Sequence, residues 1–366
     1  MSVTFIDYGN RSGNTIVGQG TSTSPSSLPI TLLSATEIDT SLTNANGTHL
    51  IKITGQFNLA SLTSTPATVA DLMNDPSLGT VSSFQIIVNG SLGEAETYSS
   101  PINFPDYASY LGLNGNTAQA AAFNSILSGN DVYTTSADAT GTNSVIVDLY
   151  GGNNTFVENH TKLQYDDVFY GGSSTGINTA VLPGNFANYT VTANTVYDVT
   201  TGVNDLNGYT ITDQTGATNT LDVYQVERLQ FHDTNLALDV MNGHAGEAAE
   251  ILGAVFGMNQ AQIAANPHYV AIGLQLLDGG MSFSQLSALA LNAVNATTPQ
   301  TVVNLLYTNL MGSAPTPTQA APFLQLLSSG AMSVGDLAVA AENSSLCTNA
   351  NHINLLGLSQ TGIHYI

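Results

Sequence analysis

Two adjacent acids open the stretch "YDDVFYGGSSTGINTAVLPGNFANYTV", residues 165–191, and they are the chain's most concentrated chemistry. Asp166 and Asp167 could be an acid/base pair, ligands for a cation, or turn residues. Neighbours in an extended chain point to opposite faces, so the two carboxylates do not share a substrate without help. A hard cation suits them better. Calcium takes roughly six to eight oxygen ligands from carboxylates, amides and backbone carbonyls. Glycine turns let carbonyls converge on one point, and the chain offers three such places. They are Gly129, Asn130 and Asp131; then Gly151, Gly152, Asn153 and Asn154; then Asp166 and Asp167 leading into Gly171 and Gly172.

The tests for an enzyme come out negative. "GSSTG", 172–176, matches the serine-hydrolase pattern, but that pattern works only as strand, turn and helix with Ser174 at the elbow. The residues that follow are β-branched and include Pro183, so they read as strand and the match as chance. There is no H-E-x-x-H, and none of the seven histidines sits at metal-ligand spacing from another. His160, His232, His244 and His352 read as surface or capping residues. Lys52 and Lys162 lack the glycine-rich context of a phosphate loop. The single cysteine, Cys347, cannot form an internal disulfide and reads as a small, partly buried residue. In residues 1–125, His49 and the acids Asp71, Asp75, Glu94, Glu96 and Asp106 form no pattern. No catalytic residue is assigned, and the expectation is a protein that is not an enzyme.

Composition narrows the partners. The chain has 366 residues, 43% of them hydrophobic, so it can bury a core. It carries 26 acids against four bases (Arg11, Lys52, Lys162 and Arg228), a net charge of −22 from only 8% charged residues. Four bases cannot neutralise a nucleic-acid backbone, and an anionic membrane would repel the chain. No stretch has the length and apolarity of a membrane span. The first fifteen residues show neither a basic n-region nor an apolar h-region. The expectation is therefore a cytoplasmic protein or one exported without an N-terminal signal.

The texture changes twice along the chain. Residues 1–125 are rich in Thr, Ser and Asn, and "THLIKITGQFNL" and "SSFQIIVNGSL" alternate as half-buried strands do. Two helices are expected there. One lies in "TPATVADLMNDP", with Thr65 as N-cap and Pro66 in the first turn. The other lies in "NTAQAAAFNSILSG", ending at Gly129. Residues 126–240 are short Val-, Tyr- and Phe-bearing runs between Gly/Asn/Asp turns, the pattern of an all-β region. Residues 241–366 have helical spacing and an internal repeat: "LQLLDGGMSFSQLSALALNA" from Leu274 and "LQLLSSGAMSVGDLAVAAENS" from Leu324. Both copies read as helix, glycine turn, serine N-cap, helix. "VVNLLYTNLMGSAPT", before the second copy, reads as a helix stopped at Gly312 and Pro315. The fold class expected is multidomain: β-rich 1–125, β 126–240, α-helical 241–366.

The strings "SGNDVY", "YGGNNTFV" and "YDDVFYGGSSTGINTAV" resemble eroded copies of the repeats-in-toxin nonapeptide, G-G-x-G-x-D-x-U-x. "TLDVYQVERLQFHDTNLALDV" and the helical tail resemble the segments that close many such secreted bacterial proteins. The resemblance spans about 126–366. It implies a short degenerate β-roll with calcium between its layers; the β-rich N-terminal region is expected, from its own strands, to be sandwich-like. The candidate ligands it singles out are Asp131, Asp166 and Asp167 through side chains, and Gly151, Asn153 and Asn154 through carbonyls or amides. Departures weaken the match: "GGNNTF" is one residue short, Asn154 stands where the family has Asp, and Asn178 replaces an Asp in the third copy. The resemblance also implies type I export from a Gram-negative cell, with an uncleaved signal near the apolar terminus "GIHYI".

These readings lead to an extracellular, calcium-stabilised structural protein that assembles on the cell surface or in a biofilm matrix, as a surface layer, sheath or filament. Its expected partners are copies of itself and the export machinery, with a cell-surface polysaccharide as a further candidate. A small adhesin or carbohydrate-binding module, with Tyr98, Tyr107 and Tyr110 as its aromatics, is the alternative; a secreted hydrolase ranks below it.

Overall fold

Short runs centred on Val or Phe and bounded by glycine turns bury one residue in two, and here they do so by pairing in parallel. The computed structural model describes residues 3–7, 15–17, 29–44, 47–62, 65–66, 68, 71–72, 75, 77–88, 90–110, 121–122, 125–135, 144–163, 166–172, 176–198, 203–216, 219–241 and 243–366. The chain divides into two units, Met1–Val226 with Gln230–Asp233, and Glu227–Leu229 with Thr234–Ile366.

In the first unit, β1 (Val3–Asp7), β8 (Val132–Thr135), β10 (Thr155–Val157) and β12 (Thr179–Val181) are parallel neighbours in one sheet. A second sheet holds β2 (Thr15–Val17), β9 (Val145–Asp148), β11 (Asp167–Tyr170) and β15 (Thr220–Tyr224), again parallel. From β8 to β12 the chain alternates strictly between the two sheets. Equivalent positions are therefore one full winding apart: 23 residues from Tyr133 to Phe156, 24 from Phe156 to Ala180, and 22 from Val147 to Phe169. Each strand with its turn thus averages more than eleven residues, not nine.

The inward positions line up. Tyr133, Phe156 and Ala180 share one register, Val147, Phe169 and Val223 share the other, and all six are buried. Phe156 stacks on Tyr133 with centroids 5.8 Å apart and on Phe169 of the opposite sheet at 5.6 Å. Complete burial of such a side chain contributes about 1.5–3 kcal/mol.

The boundary expected at 125 does not divide the described chain, because β1 and β2 are strands of these same sheets. Between β2 and β8 the chain builds an antiparallel extension: β3 (Ile30–Leu33), β4 (Glu37–Asn44), β5 (Gly47–Phe57), β6 (Gly79–Val88) and β7 (Ser91–Asn103), joined to β1 through β7. The two strand strings read from the sequence are β5 and β6. Helix α1 (Phe104–Tyr110) buries Phe104 and Tyr107, with Phe104 edge-on to Phe57 at 6.3 Å and Tyr107 edge-on to Tyr98 at 6.1 Å. Of the helix expected at 65–76, only Asp71 is helical among the described residues, in a 3-10 turn: its N–H donates to Thr68 O at 3.1 Å and its carboxylate accepts the Thr68 N–H at 2.8 Å, while Thr68 also bridges Pro29. Of the other expected helix, 121–122 and 125–126 are helical, and its start lies outside the described residues.

Long strands β13 (Tyr189–Asp198) and β14 (Val203–Asp213) form a hairpin; β14 pairs with β15, and β13 is outermost in its sheet.

The second unit is helical. Its elements are α2 (His244–Ala254), α3 (Gln260–Ala264), α4 (Pro267–Asp278), α5 (Phe283–Ala293), α6 (Pro299–Met311), α7 (Pro317–Ser328), α8 (Val334–Glu342), α9 (Ser345–Thr348) and α10 (Leu355–Thr361). The repeat folds as its sequence predicts. α4 ends at Gly279–Gly280 and α5 starts at the Ser282–Gln285 capping box; α7 ends before Gly330 and α8 starts at the Ser333–Asp336 box. Gly312 stops α6 in the left-handed region, φ +74°. β16 (Arg228–Gln230) supplies Arg228, and β17 (Asn235–Ala237) pairs with β18 (Ile363–Tyr365). No helix among the described residues is long and apolar enough to cross a membrane.

Candidate functional site

The turns that join the two parallel sheets lie at two opposite edges, since each strand runs from one edge to the other. At the first edge are 127–131, 149–154, 171–172 and 176–178. Backbone bonds stack them: Gly151 N–H donates to Leu127 O (2.9 Å), Thr155 N–H to Asp131 O (2.8 Å), and Thr179 N–H to Asn154 O (2.8 Å). Gly152 sits at φ +82°, and a Cβ there would lie 1.9 Å from Gly129 O, so only glycine permits this stacking.

Asparagine side chains complete the stack. Asn154 Oδ1 accepts the Asp131 N–H at 2.9 Å, and Asn178 Oδ1 accepts the Asn154 N–H at 2.9 Å. The other ends of these amides donate onward, Asn154 Nδ2 to Gly171 O (2.7 Å) and Asn178 Nδ2 to Gln225 O (2.9 Å). A second column runs beside it. Asn130 Oδ1 accepts the Asn153 N–H (2.9 Å), and Asn153 Oδ1 accepts the Ile177 N–H (3.0 Å). Asp131, Asn154 and Asn178 are buried. A buried backbone group without a partner costs about 1–3 kcal/mol. An amide on a short stem, with acceptor and donor together, satisfies two such groups at once.

Carboxylates do the equivalent at the second edge. Buried Asp167 holds an inward register position beside Val145 and Leu221, and its Oδ1 accepts the Val145 N–H at 2.8 Å. Asp166 is exposed, and its Oδ1 accepts the Thr220 N–H at 2.9 Å. Asp213 accepts the Leu163 N–H (3.0 Å) and the Thr215 N–H (2.7 Å). Glu158 Oε1 takes the Thr135 hydroxyl (2.8 Å), the His160 N–H (2.9 Å) and His160 Nδ1. His160, read from the sequence as a surface or capping residue, is thus buried against an acid. Burial pushes the Tyr189 hydroxyl above its ordinary range, with the Asp213 and Glu158 carboxylates adding to the effect. That hydroxyl donates to Pro183 O at 2.8 Å.

The six residues singled out as calcium ligands therefore divide. Asp131, Gly151, Asn153 and Asn154 stand at one edge, Asp166 and Asp167 at the other. They do not fit one coordination sphere, and the amide oxygens of Asn153 and Asn154 already hold backbone N–H groups. No group of three His, Cys, Asp or Glu side chains among the described residues is placed to hold a metal. Asn130, Asn178 and Glu158 belong to the stack as much as the six do. The signal that finds the asparagines is the 23- and 24-residue spacing of Asn130 to Asn153 and of Asn154 to Asn178; nothing local marks Glu158.

The other candidates separate as well. Ser174 lies outside the described residues, but 179–181 is strand β12, not the helix a nucleophile elbow needs. Tyr98 and Tyr107 are core residues, and the Tyr98 hydroxyl donates to Glu96 at 2.6 Å; the Tyr110 side chain lies outside the described set. Comparison with protein-family models finds no match for this chain, and comparison with curated proteins finds none.

Proposed function

We propose that this protein is an extracellular structural subunit that assembles with copies of itself, as a surface layer, sheath or filament, and that its middle region is a β-roll held by side-chain ladders. The observation that carries the reading is the edge of β13. It is the outermost strand of its sheet, ten residues long, and no described strand pairs with its outer side. Natural proteins blunt such edges with lysine, proline or shortness. The segment Tyr189–Asn194, "YTVTAN", has no charged residue and no proline, and its register with β14 shifts only after Asn194, where the extra residue, Asn207, belongs to β14. An edge of this kind takes another strand by main-chain hydrogen bonds. Because the chain carries a net charge of −22, copies approach one another most easily along an uncharged edge.

Export from the cell remains part of the proposal, supported by the resemblance of the tail. Calcium has no assigned role in it, since the side-chain oxygens of Asn130, Asn153, Asn154 and Asn178 hold backbone amides. The alternative of a carbohydrate-binding module loses support with Tyr98 and Tyr107 in the core. The test is negative-stain microscopy of the purified chain over rising concentration, beside native cell surfaces with and without the protein. Sheets, filaments or large oligomers are expected; a monomer at every concentration overturns the reading.

A further inference from the structure

Helices α5 and α8 are the second helices of the two repeat copies, and they pack closely. A Cβ on Gly335 of α8 would lie 2.2 Å from Ser284 O of α5. Two acids of α8 meet two serines of α5: Ser284 Oγ donates to Asp336 Oδ1 at 2.8 Å, and Ser287 Oγ lies 2.8 Å from Glu342 Oε2. The first pair is exposed, whereas Glu342 and Ser287 are each 0% exposed.

Hydrogen-bond arithmetic at Ser287 is specific about protons. Its hydroxyl carries one proton and has two acceptors within reach, Phe283 O at 2.8 Å and Glu342 Oε2 at 2.8 Å. It serves both only if Glu342 is a neutral acid. Glu342 then donates to Ser287 Oγ, and Ser287 donates to Phe283 O. The remaining oxygen, Glu342 Oε1, is buried without a partner, a position far costlier for a carboxylate than for the carbonyl of an acid.

The surroundings supply no counter-charge. Residues 241–366 contain neither Lys nor Arg. The titratable groups facing Glu342 are Glu247 and Glu250 of α2 and Cys347 of α9, while α5 offers Ser287. Burial pushes the Glu342 carboxyl up to about 8, with the Glu250 and Glu247 acids adding and the Ser287 contact opposing. Burial, with Glu247 behind it, takes Glu250 to about 7.

We propose that Glu342 is a proton-held latch: neutral, it keeps α8 docked on α2 and α5, and its ionisation loosens that contact and so makes the helical unit sensitive to alkaline pH. The direction follows from linkage. The folded chain holds this proton more tightly than the unfolded chain does, so its contribution is complete below the unfolded carboxyl range. It is lost progressively as pH rises to about 8, the folded value.

The test uses the full chain. Melting of the wild type and of Glu342→Gln is followed from about pH 5 to about pH 9, with hydrogen exchange read over 334–348. The wild type is expected to lose melting temperature across that range. Its α8 amides are expected to exchange roughly tenfold faster than the rise in intrinsic rate explains. Glu342→Gln, which can still donate to Ser287, is expected to lose most of both changes. Parallel pH profiles in the two proteins overturn the proposal. Should the variant fail to fold, infrared spectroscopy of Glu250→Gln, which removes the other raised acid, decides: a neutral-carboxyl C=O band present at neutral pH and gone at about pH 9 supports the latch, and its absence at neutral pH refutes it.

Discussion

Asn178 holds the backbone N–H of Asn154 through its side-chain oxygen at 2.9 Å, and Asn154 does the same for Asp131 one winding earlier. Each asparagine thereby fixes the register of its neighbour's turn. Register matters because a slip by one residue would turn Phe156 and Phe169 from the core to the surface.

Replacing Asn154 by Ala strands the Asp131 N–H and the Gly171 carbonyl, at roughly 1–3 kcal/mol each. In a unit of this size each kcal/mol lowers the melting temperature by about 2–4 °C, so a fall of roughly 4–24 °C is expected in a calorimetric scan. Asn154→Asp is the sharper variant. A calcium turn would gain a ligand from it; this ladder loses its donor to Gly171 and buries a charge, so the melt should fall and added calcium should not restore it.

Chelation gives a related outcome. The melt with and without EDTA should coincide, because the oxygens of Asn153 and Asn154 hold amides whether or not an ion is present. A drop on chelation reversed by calcium but not magnesium would mean that turn carbonyls gather an ion after all.

Glycines at positive φ should separate by their surroundings. At Gly312 (φ +74°) a Cβ meets nothing within 4 Å, so Ala costs only the backbone strain, about 1 kcal/mol. At Gly152 the same change also drives a carbon into Gly129 O, so the winding must open, at roughly 3 kcal/mol or more. Denaturant midpoints of the two single variants test the difference.

Arg228 organises the start of the helical unit. It is buried, bonded to Asp239, and forked onto Asp278 at 2.8 and 3.1 Å, while His244 meets the same Asp278 oxygen at 2.7 Å. Arg228→Ala leaves Asp239 partly buried without its cation and should cost about 3–5 kcal/mol. Arg228→Lys should recover little of that, since an ammonium cannot span both acids with a planar fork. Urea midpoints of the two variants check both statements.

Local chemistry made the helical repeat readable. Ser282, Ser333, Gly280 and Gly330 act on residues three or four positions away, so their roles are written in the string around them. The β texture of 126–240 was readable for the same reason. In the 65–76 stretch Thr65 and Pro66 satisfy a helix start locally, but the short turn among the described residues starts at Thr68, which Pro29 bridges and Asp71 caps.

Taken alone, the amino-acid order determined where most of the strands and helices form and which turns need glycine. Only the tertiary structure decided what the Asp and Asn side chains hold. The partners of the Asn154 side chain lie 23 and 17 residues away, and Ser287 and Glu342 are 55 apart. A carboxyl or amide binds an ion, an N–H or a proton according to what the fold brings within 3 Å of it, and no window of neighbouring residues contains that information.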